Sequence, residues 1–131
     1  MIEQNTPHMS THVEEECTPF ALLLDDNLMS ATRIAAQLER MNYNVETARS
    51  LPASETSLSQ TPQLVVINLG SRGMDGVAWI EACRERFAGS RVVGFCGHLE
   101  IEIRRQAKAA GIDKILTNDQ AFSSLETALS S

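Results

Sequence analysis

The sequence predicts an α/β fold three layers deep, a single domain in which one doubly wound, five-stranded parallel sheet lies between two layers of helices. Two observations carry that expectation. Short continuous apolar runs, the mark of strands buried on both faces, alternate along the chain with stretches whose apolar residues recur at helical spacing. The chain has 131 residues and 43% hydrophobic content, about the size of one domain and enough to build one core.

The elements follow in order. Residues 1–18 mix Thr, His, Ser and Asn with the acidic run Glu14, Glu15, Glu16 and show no apolar periodicity, so they read as a flexible N-terminal arm. The domain is expected over 19–131. Its strand candidates are Phe20 to Leu24, Asn44 to Ala48, Leu64 to Leu69, Arg91 to Phe95 and Lys114 to Thr117. A first helix is carried by Ile34, Leu38 and Met41, and a third by Val77, Ile80, Cys83 and Phe87, each set falling on one face. The second segment, Ala53 to Ser59, is polar and short. A fourth helix runs from about Glu100 to Ala110, where Gly111 supplies a left-handed stop. The last carries Phe122, Leu125 and Leu129 at three- and four-residue steps and packs the C-terminus on the sheet. Units of this size need right-handed crossovers, which closes the three-layer arrangement.

Composition excludes several classes. A net charge of −6 leaves no basic field for a phosphate backbone, so direct contact with nucleic acid is not expected. Cys17, Cys83 and Cys96 are odd in number and far apart, unlike a disulfide framework, and there is no secretory core and no long apolar run. A cytoplasmic protein with no membrane partner is expected.

In open α/β sheets chemistry gathers just beyond the carboxyl ends of the strands. Asp25 and Asp26 follow the first strand, Asn68 closes the third, Cys96, Gly97 and His98 follow the fourth, and Asn118 follows the fifth. Four stretches containing or neighbouring these residues resemble response-regulator receiver domains of two-component signalling, over nearly all of Phe20 to Ser131. Asp25-Asp26-Asn27 after an apolar strand is similar to that family's acidic pair. Leu38 to Ala48 looks like its first helix running into its second strand. Pro62 to Leu69 followed by Met74-Asp75-Gly76 resembles the phosphoacceptor strand and loop, and Ala109 to Leu116 the turn into the fifth strand. The resemblance implies a flavodoxin-like sheet in the order 2-1-3-4-5.

Departures from the family pattern direct the functional expectation. The resemblance puts an aspartate where Asn68 stands, a Ser or Thr at Cys96, a Lys at Asn118, commonly an aromatic at Ile115 and a proline at Arg72. Phosphoryl acceptance needs a carboxylate nucleophile, a divalent cation across the acidic cluster and a cation on the equatorial oxygens. The amide of Asn68 is no such nucleophile, because its nitrogen lone pair is delocalised and its oxygen carries no full charge. Only Asp25, Asp26 and the carbonyl of Gly70 remain as hard ligands, so no cofactor is expected and magnesium would bind weakly if at all.

Each candidate has a plainer alternative. Asp25 and Asp26 are a remnant metal site or two solvated carboxylates, one capping the first helix. Asn68 mimics a neutralised aspartate or satisfies loop backbone groups. Cys96, at the mouth of the former acid pocket, is a redox thiol or a small buried hydrophobe. His98 is a pH sensor or a solvated loop residue. His8, His12 and Cys17 hold a metal or merely punctuate the arm. Trp79 is a contact residue or packs partly buried. Arg104 and Arg105 form a partner patch or a solvated face.

The expectation is a phosphorylation-independent pseudo-receiver, not an enzyme, that binds a partner protein or a second copy of itself. The resemblance suggests the face of fourth helix, fifth strand and fifth helix, with Glu102, Arg105, Lys108, Lys114 and Glu126. Two alternatives compete. One is an active receiver phosphorylated by a histidine kinase, for which only Asp75 could substitute. The other is a flavodoxin-like enzyme, opposed by acidic residues where a phosphate loop would lie.

Overall fold

The computed structural model of the protein describes residues 18–52, 58 and 60–130. The expected arm, the His8, His12 and Cys17 group, and most of the segment offered as a second helix lie outside the described residues. Ten elements are present among the described residues: β1 (Phe20–Leu24), α1 (Leu28–Arg40), β2 (Asn44–Ala48), β3 (Leu64–Asn68), α2 (Gly76–Arg86), β4 (Arg91–Cys96), α3 (Ile101–Ala109), β5 (Lys114–Thr117), α4 (Asn118–Ser123) and α5 (Leu125–Ser130). The helix anticipated as the fourth is therefore α3. All the strands pair in parallel, in the order β2-β1-β3-β4-β5.

Side-chain parity explains the continuous apolar runs. Along β1, Ala21 and Leu23 face one layer while Leu22 and Leu24 face the other, and every residue of Phe20–Leu24 is buried. Ala21, Leu23, Val66, Val93, Phe95 and Leu116 pack under Ile34 and Leu38 of α1 and Leu125 and Leu129 of α5. Leu22, Leu24, Val65, Ile67 and Val92 pack under Ile80 and Cys83 of α2 and Ala107 of α3. Each fully buried aliphatic contributes roughly 1.5–3 kcal/mol. Among the described residues no helix is long and apolar enough to cross a membrane.

Local chemistry sets the ends. Asn27 caps α1, its side chain accepting from Met29 N at 3.0 Å and Ser30 N at 3.1 Å, so neither Asp25 nor Asp26 takes the expected cap role. Asp75 caps α2 through Ala78 N at 3.2 Å. Gly111, with φ +96°, stops α3 as its position promised. The third strand ends one residue earlier and the fourth one residue later than the apolar runs suggested.

The single last helix anticipated from Phe122, Leu125 and Leu129 is two short helices, α4 and α5, separated at Ser124. Gln37 of α1 causes the break. Its Nε2 donates to Ala121 O at 2.6 Å, and its Oε1 accepts from Leu125 N at 3.0 Å. Those are the two groups that would join each other in an uninterrupted helix, so a buried side chain has been inserted into the ladder.

Candidate functional site

Sheet register brings the predicted residues to one place. Leu24 lies opposite Ile67, Asn68 opposite Phe95, and Cys96 opposite Thr117. Asp25, Asn68 and Asn118 therefore emerge side by side at the carboxyl end of the sheet, where strand order reverses between β1 and β3. Asn68 and Asn118 line a cavity of about 390 Å³ whose wall also includes Asp26, Ser30, Ser71 and Glu100.

Asp25 is not a solvated carboxylate; it is 2% exposed and lies beneath the cavity floor. Three donors of its own chain surround it. Asn68 Nδ2 donates to Oδ1 at 2.9 Å, Asn27 N donates to the same oxygen at 3.0 Å, and the Ser30 hydroxyl donates to Oδ2. A buried carboxylate needs such donors, because burial without them costs far more than the bonds return. Asp26 points the other way, half-buried, and accepts from the Ser71 hydroxyl at 2.6 Å.

Asn68 uses both ends of its amide. Beside the Nδ2 bond to Asp25, its Oδ1 accepts from Gly70 N at 3.0 Å, so it also satisfies the loop backbone. This donor set does not suit a divalent cation. Both oxygens of Asp25 and one oxygen of Asp26 already accept from N–H and O–H groups, and Asn68 turns a donor to Asp25 where a ligand oxygen would be needed. Among the described residues no three His, Cys, Asp or Glu side chains are grouped to hold a metal. One lining cation, Arg72, is present, and Asn118 places an amide rather than an ammonium on the wall.

Cys96 does not line the cavity. It is fully buried in the layer beneath α2 and α3. Burial raises its thiol above the ordinary value; the nearby Arg104 guanidinium pulls it part of the way back, and Glu100 pushes it up again. Arg104, eight residues on, was not legible as its neighbour from the local spacing. Asp75, already engaged in capping α2, lines with Met74 and Ile103 an adjoining hollow that shares Gly70, Ser71, Arg72 and Glu100 with the cavity. His98 is exposed, and Trp79 packs half-buried against the same layer as Cys96.

The residues expected at a partner face divide. Glu102 and Arg105 are exposed and paired at 2.5 Å on α3, with Lys108 exposed one turn on. Hydrogen bonds from Arg105 and then Gln106 hold the Glu102 carboxyl below its ordinary value. Lys114 is half-buried on β5, next to half-buried Ile115, which packs on the layer beneath α2 and α3. Glu126 instead lines a groove with Arg40 and Met41, on the sheet face opposite α3. Ser30 and Ser71 were missed from the sequence. Ser30 follows the cap residue by three positions and so points back at the strand end, a spacing that could have revealed it.

A family model described as the response regulator receiver domain matches residues 21–130. The chain belongs to the response regulator receiver family. This receiver domain is 28% identical over 109 residues to the photosynthetic apparatus regulatory protein RegA of Rhodobacter capsulatus, a match covering 82% of this chain and 59% of that protein's length. Among solved structures it resembles a Burkholderia pseudomallei response regulator described with a phosphorylated aspartic acid, a calcium ion and citrate. That likeness has a TM-score of 0.72 at 24% identity and covers 85% of this chain and 66% of the other. It also resembles the receiver domain of NtrX from Brucella abortus, with a TM-score of 0.67 at 21% identity over 85% of this chain and 98% of the other. At these identities the solved structures speak for the fold.

Proposed function

We propose that this receiver domain signals by binding a protein partner without accepting a phosphoryl group. The observation that carries the reading is Asn68. At the carboxyl end of β3, beside Asp25, stands an amide whose N–H points at the Asp25 carboxylate at 2.9 Å and whose oxygen is engaged by Gly70 N. No lone pair of a charged oxygen is there to attack phosphorus, and no lysine stands at Asn118 to neutralise the transferred group. Magnesium finds a site short of one charge, so weak binding at most belongs to the same proposal.

The output is then a surface, not a turnover. Receiver domains work through contact with other proteins, and the exposed side of α3, with Glu102, Arg105 and Lys108 and the neighbouring Lys114, is the proposed face, on a partner protein or a second copy. Ile115 in place of an aromatic removes a side chain able to swing between two positions, which suits a face held in one arrangement. With a net charge of −6, direct nucleic-acid contact and a membrane surface are left out of the proposal, and a cytoplasmic setting is included. The competing phosphorylated reading has only Asp75 to offer, and that carboxylate is committed to Ala78 N.

The experiment is intact-mass measurement after incubation with acetyl phosphate and millimolar magnesium. An unchanged mass is expected. Gain of one phosphoryl group sinks the proposal.

A further inference from the structure

The C-terminal sequence is written for one helix, and the packing makes two. Phe122, Leu125 and Leu129 recur at helical spacing, and neither Gly nor Pro interrupts residues 118–130. Ser124, at the break, nevertheless sits at φ −144° and ψ 45°, outside the helical region. Such a conflict between local pattern and tertiary packing brings two arrangements close in free energy.

Gln37 tips the balance between them. Its buried amide gives Ala121 O a donor at 2.6 Å and Leu125 N an acceptor at 3.0 Å, so it stands in for the one bond that would join α4 to α5. Fusion of the two helices has its own return. It closes the bond from Leu125 N to Ala121 O, and it gives Glu126 N and Thr127 N the carbonyls of Phe122 and Ser123. Those two N–H groups now lie in the first turn of α5, where a helix offers them no partner of its own.

We propose that Gln37 is a reversible latch whose withdrawal lets α4 and α5 fuse into one helix over residues 118–130 and swings α4 off the cavity wall. α5 stays in place, because Leu125, Ala128 and Leu129 are buried and Arg91 Nη1 donates to Leu129 O at 2.8 Å. α4 is therefore the part that moves, and it carries Asn118 and Phe122 of the wall. Phe122 leaves the Phe95 ring, which it now meets edge-on at 5.8 Å, and the Arg33 guanidinium, 5.1 Å from its centre. The latch opens on the surface through a groove of about 270 Å³ lined by Gln37, Arg40, Met41, Ser123 and Ser124. Asn27 and Ser30, at the other end of α1, line the cavity, and Ser30 is about 15 Å along the helix from Arg40. One two-state element thus touches both openings, so a group that hydrogen-bonds the Gln37 amide from the groove changes the cavity at a distance. The latch works whether or not the cavity takes a phosphoryl group and so goes beyond the function proposed above.

Backbone amide exchange on the whole chain, followed by NMR, tests the latch. In Gln37→Ala, Leu125 N trades a buried acceptor for a bond in a fraying helix and should exchange faster. Thr127 N should exchange about fivefold more slowly, the worth of one backbone hydrogen bond gained, and ring-to-ring contacts between Phe95 and Phe122 should vanish. Gln37→Met serves in the same way if the alanine variant does not fold. Glu126→Pro is the counter-test: the first turn of a helix tolerates proline, whereas inside a fused helix it costs a factor of roughly one hundred. Added to Gln37→Ala, it should return Thr127 to its native rate. Alone, it should leave the fold and the Phe95 to Phe122 contact unchanged. Unchanged or faster exchange at Thr127 in Gln37→Ala, ring contacts retained there, or a Thr127 rate indifferent to the added proline overturns the latch and leaves Gln37 a fixed clamp. Loss of the C-terminal helix on Glu126→Pro alone also overturns it, because the helix would already be continuous.

Discussion

Replacing Asn68 by Asp restores the residue that the family pattern places at this strand end, and the structure sets what that should cost. The Nδ2 to Oδ1 bond of 2.9 Å becomes a contact between two carboxylate oxygens, one of them on a residue 2% exposed. Two unit charges at such a distance repel by more than about 4 kcal/mol even at an effective dielectric of 20. The pair escapes by taking up a proton, and that uptake sets a ceiling. Keeping a carboxyl of ordinary value near 4 protonated at neutral pH costs about 4 kcal/mol, at roughly 1.4 kcal/mol per pH unit. The variant should therefore lose up to about 4 kcal/mol at neutral pH. The folded-state value of the pair is raised above the unfolded one, so the penalty is absent below about pH 4, grows as pH rises, and levels off beyond the raised value. At about pH 5 it should shrink to roughly 1.4 kcal/mol. Urea and thermal unfolding across that range read it, with a midpoint drop on the order of 10 °C at neutral pH. Millimolar magnesium should recover much of the loss in the variant and do little for the native chain. A loss that does not vary with pH, or a variant indifferent to magnesium, refutes the convergence of these side chains.

Three further outcomes follow from the packing. Gly94→Ala places a Cβ 2.5 Å from Leu69 Cδ1 and 2.9 Å from Ile112 Cδ1 in the sheet interior, and overpacking of this kind should lower stability by roughly 1–3 kcal/mol in urea unfolding. Gln37→Ala removes both bonds to the α4–α5 break and should lower stability by about 2 kcal/mol with faster hydrogen exchange at Leu125; unchanged exchange there would contradict its role as the inserted group. Burial pushes the Cys83 thiol from 9.0 to about 11, partly offset by Arg86. The unfolded chain then loses that proton first, so stability should fall between pH 9 and 11 by on the order of 2–3 kcal/mol, and Cys83→Ala should flatten that part of the profile.

The strands were legible because burial on both faces leaves an unbroken apolar run, and Leu64 to Ile67 can be read that way without any partner in view. The C-terminal break was not, because its cause sits 84 residues away in Gln37 and leaves no mark on the local spacing of Phe122, Leu125 and Leu129. The acidic pair was visible as a pair, but its division was not. Successive side chains of an extended chain point apart, which puts Asp25 under the floor among donors and Asp26 on the wall with Ser71. Asn27 was read with its acidic neighbours, yet it is the cap, a role that Asp, Asn and Ser fill about equally well and that composition therefore cannot assign. Cys96 was placed by adjacency in sequence, whereas strand parity turns its side chain into the core and gives the wall to Phe95 and Gly97 instead.

The sheet ladder also decides how durable the amide is. Asparagine ages to aspartate when the backbone nitrogen of the next residue closes a five-membered imide on the side-chain carbonyl, and here that nitrogen belongs to Leu69. Leu69 N donates to Phe95 O at 2.9 Å, and the carbonyl it would attack is held by Gly70 N. Ring closure has to free Leu69 N from Phe95 O and rotate the side chain away from Asp25. The imide route by which a carboxylate would appear at position 68 is thus opposed for as long as β3 stays paired with β4.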